Sequence, residues 1–292
     1  MKTTEEQKDY IQLTDYGRIK EIHRGVFNPD GGQIQKAAQG IYIDRETGEV
    51  IEPKKPAGEA RSRSENKKSL SATRKTVKDL AIANFEDKDK TLFITLTFNE
   101  PERDMARFNS RFNYFSDKMK RQFKDNPFKY LMVPEYSADG GLHCHALFFW
   151  EKDCTGIPFA DIQALWTYGH ADIQLLRDNE EAILNVTAYM TAALGMANHG
   201  GALPETIPHD AEEKRAVKAA RVSAVPAFTQ LCRHSNGMKK PTKRFVTAEE
   251  ADEVSKSCHK IQEKPHQTPL ADGSVLYQQY AYFVPNEKVS EK

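Results

Sequence analysis

The stretch Gly140-Gly141-Leu142-His143-Cys144-His145-Ala146-Leu147-Phe148-Phe149-Trp150 constrains the fold more than any other part of the chain. Two glycines close a turn, and an apolar run follows that is interrupted only by two histidines two positions apart. Side chains at i and i+2 leave a strand on the same face. The spacing therefore predicts both imidazoles on one side of a sheet and Cys144 on the other, among the residues that fill a core. Two neutral imidazoles on one face can share a divalent cation.

Upstream, Phe128-Lys129-Tyr130-Leu131-Met132-Val133-Pro134-Glu135-Tyr136 reads as the partner strand, joined through the turn cluster Ser137-Ala138-Asp139-Gly140-Gly141. If Tyr136 pairs with Leu142, Glu135 stands directly opposite His143. Directly opposed Cβ atoms are about 5 Å apart, within reach of one shared ion. A slip of one residue would move Glu135 to the other face. Two imidazoles and one carboxylate leave coordination positions open, which suits a catalytic rather than a closed structural site. The competing reading is a histidine pair satisfied by hydrogen bonds in a half-buried strand.

The net charge says little about partners, because 42 basic and 42 acidic residues balance over 292. Their distribution says more. Lys214 to Arg244 holds nine basic residues and no acidic one, and Arg61 to Lys78 is also mostly basic. Local basic blocks are the electrostatic footprint of a polyanion partner, and they also occur in solvated tails. Cys144, Cys154, Cys232 and Cys258 are scattered without CxxC spacing, which argues against a zinc ribbon or a disulfide framework and for a reducing compartment. No apolar run approaches membrane-spanning length and no secretory leader opens the chain. The expectation is a cytoplasmic protein with no membrane partner.

In chain order, residues 1–60 read as a polar, irregular leader with a turn at Asn28-Pro29-Asp30-Gly31-Gly32 and a short strand at Ile41-Tyr42-Ile43. Asn66 to Phe85 predicts a helix with Leu70, Val77, Leu80 and Ile82 on one side and Arg74, Lys75 and Lys78 on the other. Such a helix is an ordinary surface element or a phosphate-contacting arm. Thr91 to Phe98 reads as a central strand, with Leu92, Ile94, Leu96 and Phe98 on one face and Thr91, Phe93, Thr95 and Thr97 on the other. One greasy and one hydroxyl-rich face fit helices on the first and a polar ligand on the second. In a helix expected from about Arg103 to Phe123, Met105, Phe108, Phe112, Phe115, Met119 and Phe123 repeat as a core stripe. A short helix from Pro158, a strand over His170 to Leu176 and a helix from Asn179 to Met196 follow; His170 reads as a surface residue. That last helix carries Tyr189. An isolated tyrosine in an apolar helix is usually core. Beside a cation a phenol can instead attack a phosphodiester. Leu276 to Phe283 reads as a final strand.

The hydroxyl-rich strand, the Glu135…His143-Cys144-His145 hairpin and the Tyr189 helix, in that order, resemble the rolling-circle replication initiator (Rep) proteins of the HUH endonuclease superfamily, named for His-hydrophobic-His. The similarity is greatest to the plasmid and filamentous-phage type and covers roughly residues 65 to 245. Ser235-Asn236-Gly237-Met238-Lys239-Lys240-Pro241 also resembles a recurring segment of that group.

The resemblance implies an α+β fold, a central antiparallel sheet of about five strands with helices mainly on one face. It implies a catalytic domain over 61–245, with 1–60 as leader and 246–292 as a C-terminal extension. It implies Mg²⁺ or Mn²⁺ held by Glu135, His143 and His145. Single-stranded or hairpin origin DNA would be nicked by Tyr189, leaving a 5′-phosphotyrosine and a free 3′-OH for host replication proteins. Arg74, Lys75, Lys239, Lys240, Lys243 and Arg244 are the expected DNA contacts. The chain departs from the group where Tyr-x-x-Lys is usual, because Met190-Thr191-Ala192 follows Tyr189. That leaves weaker nicking, replacement by Lys239 or Lys240, or a DNA- or RNA-binding protein that no longer cuts as open alternatives.

Overall fold

The computed structural model describes residues 8–27, 34–38, 41–44, 50–51, 67–137, 140–176, 180–192, 229–269 and 275–286. In chain order the strands are β1 (Lys8–Asp15), β2 (Lys20–Phe27), β3 (Ile34–Ala38), β4 (Ile41–Asp44), β5 (Val50–Ile51), β6 (Thr91–Leu96), β7 (Phe128–Tyr136), β8 (Leu142–Trp150), β9 (Ala171–Leu175), β10 (Arg233–His234), β11 (Thr242–Phe245), β12 (Cys258–Pro269) and β13 (Val275–Pro285). The helices are α1 (Lys67–Asn84), α2 (Met105–Gln122), α3 (Phe159–Leu165), α4 (Glu180–Met190) and α5 (Ala248–Ser257). The chain divides into two compact units, a central one of residues 15–20 and 61–242 and a terminal one of residues 1–14, 21–60 and 243–292.

The central unit is an α+β domain around a five-stranded antiparallel sheet of order β10-β7-β8-β6-β9. The expected hairpin register is the observed one, with Tyr136 opposite Leu142 and Glu135 opposite His143. Alternation splits the sheet into two faces. Leu92, Ile94, Leu96, Met132, Cys144, Ala146 and Phe148 point to one, where they meet Phe108, Phe112, Phe115 and Met119 of α2 and Ile162 of α3. Edge-on rings lock this layer, as where Phe115 lies 6.2 Å from Phe148 and 5.7 Å from Trp166.

The helix α2 starts at Met105, slightly later than its periodicity suggests. The Asp104 carboxylate accepts from Ala106 N and Arg107 N at 2.8 and 3.3 Å, and this cap fixes the first turn. Gly169 is required by close approach, because a Cβ there would lie 2.1 Å from the Thr97 carbonyl oxygen. The second face carries α4, whose Tyr189 ring meets Phe93 of β6 and His145 of β8. The helices expected mainly on one face are therefore α2 and α3, with α4 across from them.

The terminal unit corrects the reading of both chain ends. Its five-stranded sheet has the order β11-β1-β2-β13-β12, so the described part of the expected irregular leader includes two paired strands. The 246–292 segment, expected as a separate extension, supplies α5, β12 and β13 to the same unit. Leu13, Ile22, Ala281 and Phe283 form a small core with Ala251 of α5 and Cys258. Thr247 and Glu250 cap α5 reciprocally. The strands β3, β4 and β5 make a separate three-stranded sheet that includes the short strand expected at Ile41–Ile43. The turn expected at Asn28–Gly32 lies outside the described residues. Among the described residues, no helix is long and apolar enough to cross a membrane.

Candidate active site

The register of three neighbouring strands builds the site. Glu135 on β7 opposes His143 on β8, and His145 is flanked by Val133 of β7 and Thr95 of β6. One ligand atom from each of Glu135, His143 and His145 lies within 4.8 Å of the others. His145 Nε2 is 3.5 Å from Glu135 Oε2, and the two imidazole centroids are 5.1 Å apart. Glu135 is 7% exposed and His145 2%, whereas His143 is half-buried.

A charged carboxylate at such depth is stabilised only by opposite charge or donors. His145 Nε2 is buried and makes no hydrogen bond among the described residues. Its Nδ1 lies 3.1 Å from Thr95 Oγ1. With the proton on Nδ1 donated to that hydroxyl, the Nε2 lone pair faces Glu135, the tautomer a metal ligand needs. One carboxylate and two nitrogens with an orphaned ring nitrogen fit a divalent cation with open positions.

Cys144, between the two histidines, is not part of the set. It faces the core, and burial pushes its thiol far above the ordinary range. Burial likewise pushes the thiols of Cys154 and Cys232 up to about 12, so neither is a thiolate near neutral pH.

Tyr189 sits at the last turn of α4. That helix buries Ile183, Leu184, Thr187 and Met190, leaving Tyr189 48% exposed. The tyrosine is therefore not a core residue. Its ring centroid is 4.9 Å from that of His145 and 6.2 Å from Phe93. Phe93 in turn stacks against His145 at 5.8 Å and 17°. The helix is held from its other end, where Arg18 Nε donates to Glu180 Oε1 at 2.9 Å.

Several supporting residues carry no signal in the sequence. Thr95 was visible only as part of a hydroxyl-rich face. Arg18, on a turn between β1 and β2, reaches α4 across 162 positions, and no local pattern announces such a contact. Glu102 is a buried carboxylate with Arg111 Nη1 at 2.9 Å, and its backbone oxygen accepts from Leu142 N at 2.6 Å. It thereby ties the hairpin, at the residue before His143, to the start of α2.

The expected DNA contacts do not converge. Arg74 and Lys75 are exposed on α1. Lys239 pairs with Glu86, and its backbone exchanges hydrogen bonds with the Asn84 side chain at 3.0 Å in both directions. Ser235 N donates to the Tyr130 oxygen at 2.9 Å, and Lys129 Nζ donates to the Gly237 oxygen at 2.6 Å. The downstream motif is thus a clamp on β7 and the end of α1. Tyr130 precedes Glu135 by five residues, about 17 Å along a strand. Lys239 is therefore not placed to replace a lysine beside Tyr189. Lys240 is exposed next to the clamp, and Lys243 and Arg244 belong to the terminal unit, where Arg244 Nη1 pairs with Glu250 at 3.0 Å.

An antiparallel sheet with a two-histidine, one-carboxylate cluster under a helix-borne tyrosine defines the class of HUH-type nucleases. Residues 91–194 match the family model for the replication-associated protein ORF2, a stretch that contains Glu135, His143, His145 and Tyr189; over it the chain is a rolling-circle Rep-like protein. Two solved structures are similar in part. The hypothetical protein ORF119 from Sulfolobus islandicus rod-shaped virus 1 is 21% identical, covering 44% of this chain and 97% of that one with a TM-score of 0.30. The N-terminal nuclease domain of minute virus of mice non-structural protein 1 is 12% identical, covering 82% of this chain and 73% of that one with a TM-score of 0.15. No curated protein matches the chain.

Proposed function

We propose that the protein nicks and rejoins single-stranded origin DNA, with Tyr189 as nucleophile and Glu135, His143 and His145 as metal ligands. The observation that carries the reading is the 4.9 Å approach of the Tyr189 ring to His145, beside a cluster whose ligand atoms lie within 4.8 Å of each other. A divalent cation such as Mg²⁺ or Mn²⁺ would withdraw charge from the scissile phosphate. Thr95 holds the His145 ring, and the half-exposed Tyr189 leaves room for a strand to enter. The Tyr189 oxygen attacks phosphorus and gives up its proton. The bond from phosphorus to the 3′ oxygen breaks, and that oxygen leaves with the electron pair and takes a proton. The product is a 5′-phosphotyrosine, which a later 3′-OH can attack to reseal the strand without ATP.

The test is incubation with single-stranded origin oligonucleotide and Mn²⁺. A covalent protein–DNA adduct is expected, lost in Tyr189→Phe and in EDTA. An adduct that persists in Tyr189→Phe would remove the nucleophile, and one undiminished by EDTA would remove the metal. A second reading, a DNA- or RNA-binding protein that does not cut, is favoured by Met190-Thr191-Ala192 in place of a lysine. A lysine there would act as a point charge near the scissile group. Tight binding of the oligonucleotide with no adduct in any divalent metal would establish that reading instead.

A further inference from the structure

The terminal sheet carries a feature that neither the hairpin motif nor the family match accounts for. One aromatic ring comes from each of four neighbouring strands, in sheet order: Phe245 of β11, Tyr10 of β1, His23 of β2 and Tyr280 of β13. The rings touch in series. Phe245 and Tyr10 are 6.0 Å apart at 84°, Tyr10 and His23 are 5.2 Å apart at 88°, and His23 and Tyr280 stack at 4.1 Å and 6°. Lys264 of the fifth strand lies directly opposite Tyr280.

The row is built rather than accidental. His23 is fixed by Gln278 Nε2 at 3.1 Å and by the Tyr10 hydroxyl at 3.3 Å. Gly25 lies under Tyr10, where a Cβ would come within 3.2 Å of the ring; glycine lets the ring settle on the neighbouring strand.

The sheet is also polarised in charge. The helix α5 covers the other face and carries Glu249, Glu250, Asp252 and Glu253, with Arg24 and Arg244 paired into it. On the aromatic face, Lys243 shares the side of Phe245 by strand alternation, and Lys243 and Lys264 are both exposed. The acid of that face, Glu21, is only 4% exposed. Phe245, at the end of the row, is 63% exposed.

We propose that this aromatic row is a second binding surface for single-stranded DNA, on which bases stack while Lys243 and Lys264 meet phosphates. Stacking is tolerant of sequence, and flanking cations supply the affinity for backbone, the combination that non-specific single-strand binders use. Duplex DNA hides its base faces and gives such a row nothing to stack on. The surface would hold a displaced strand by means independent of the metal cluster.

The test uses the full chain in EDTA, so that cleavage plays no part. A fluorescent oligo-dT probe is titrated by anisotropy, and a 5-iodouracil version is photocrosslinked and mapped by mass spectrometry. Crosslinks are expected on peptides carrying Phe245, Tyr10 or Tyr280. Phe245→Ala should weaken binding about tenfold, as removal of one stacked base does, whereas Phe245→Tyr keeps it. Replacing Lys243 and Lys264 together should reduce the salt slope by about 0.7 for each phosphate no longer neutralised. Crosslinks confined to residues 91–194, or an affinity unchanged in Phe245→Ala, would overturn the proposal. A negative result leaves the nicking assay unaffected, because that assay reads the Tyr189 adduct.

Discussion

The two five-stranded sheets share a plan and differ in what their second face carries. Each buries one face under helical side chains, α2 and α3 in the central unit and α5 in the terminal one. On the remaining face the central sheet presents a carboxylate, two imidazoles and a nearby phenol. The terminal sheet presents a row of rings bounded by lysines. One architecture thus supports a site for chemistry and a surface for contact, and only the residues on the exposed side distinguish them.

The largest expected effect tests that distinction at its sharpest point. Tyr189→Phe keeps the ring against His145 and removes only the oxygen. Adduct formation should fall at least about 10³-fold, as for other removed nucleophiles, with oligonucleotide affinity in EDTA within about twofold of wild type. A comparable loss of affinity would make Tyr189 a binding residue and erase the contrast between the sheets. Next in size are the shared supports. Phe112 is fully buried in the larger core, so Phe112→Ala should cost about 3–5 kcal/mol in denaturant unfolding. Leu13→Ala, in the smaller core of the terminal sheet, should cost about 2–3 kcal/mol. Equal costs would mean that the two cores are not graded as their clusters suggest.

Local patterns carried the central unit and failed at the terminal one, and the cause is sequence separation. The β7–β8 hairpin needs five turn residues between its strands, so alternation, the glycines and the opposition of Glu135 to His143 could all be read from a short window. The phenylalanine stripe of α2 follows the same logic. By contrast β2 pairs with β13 across some 250 positions. Tyr10-Ile11-Gln12-Leu13 alternates only briefly and has no partner nearby, so it passes for a polar leader. The site followed the same divide. Its ligands and nucleophile were visible as motifs, whereas Thr95, Glu102 and Arg18 act through contacts that only the fold creates.

Thr95 sharpens the comparison further, because its role is specific to a face that binds a cation. Thr95→Val keeps shape and strand preference but removes the oxygen 3.1 Å from His145 Nδ1. Affinity for Mn²⁺, measured by calorimetry, should fall about tenfold, the usual cost of losing a partner of a ligating histidine. Thermal stability should change little. Unchanged affinity would mean that His145 is oriented by its ring neighbours Phe93 and Tyr189 alone.

The smallest effect concerns the clamp that the basic motif turned out to be. The Lys239 ammonium hydrogen-bonds to Glu86 and holds its carboxyl below the ordinary glutamate range. A carboxylate lowered in the folded state contributes stability that is complete above its unfolded pKa, about 4.3, and that disappears as pH falls through the folded value. Both side chains are more than half exposed, so water and salt hold the pair to at most about 1 kcal/mol. Denaturant midpoints at pH 7 and pH 3 should therefore converge slightly more in Glu86→Gln than in wild type. The backbone bonds between Lys239 and Asn84 have no charge to lose, so Asn84→Ala should lower stability by a similar amount at both pH values. If Lys239→Met instead abolished the Tyr189 adduct while leaving these midpoints in place, the lysine would belong to the chemistry of the central sheet, and the separation between clamp and site would fail.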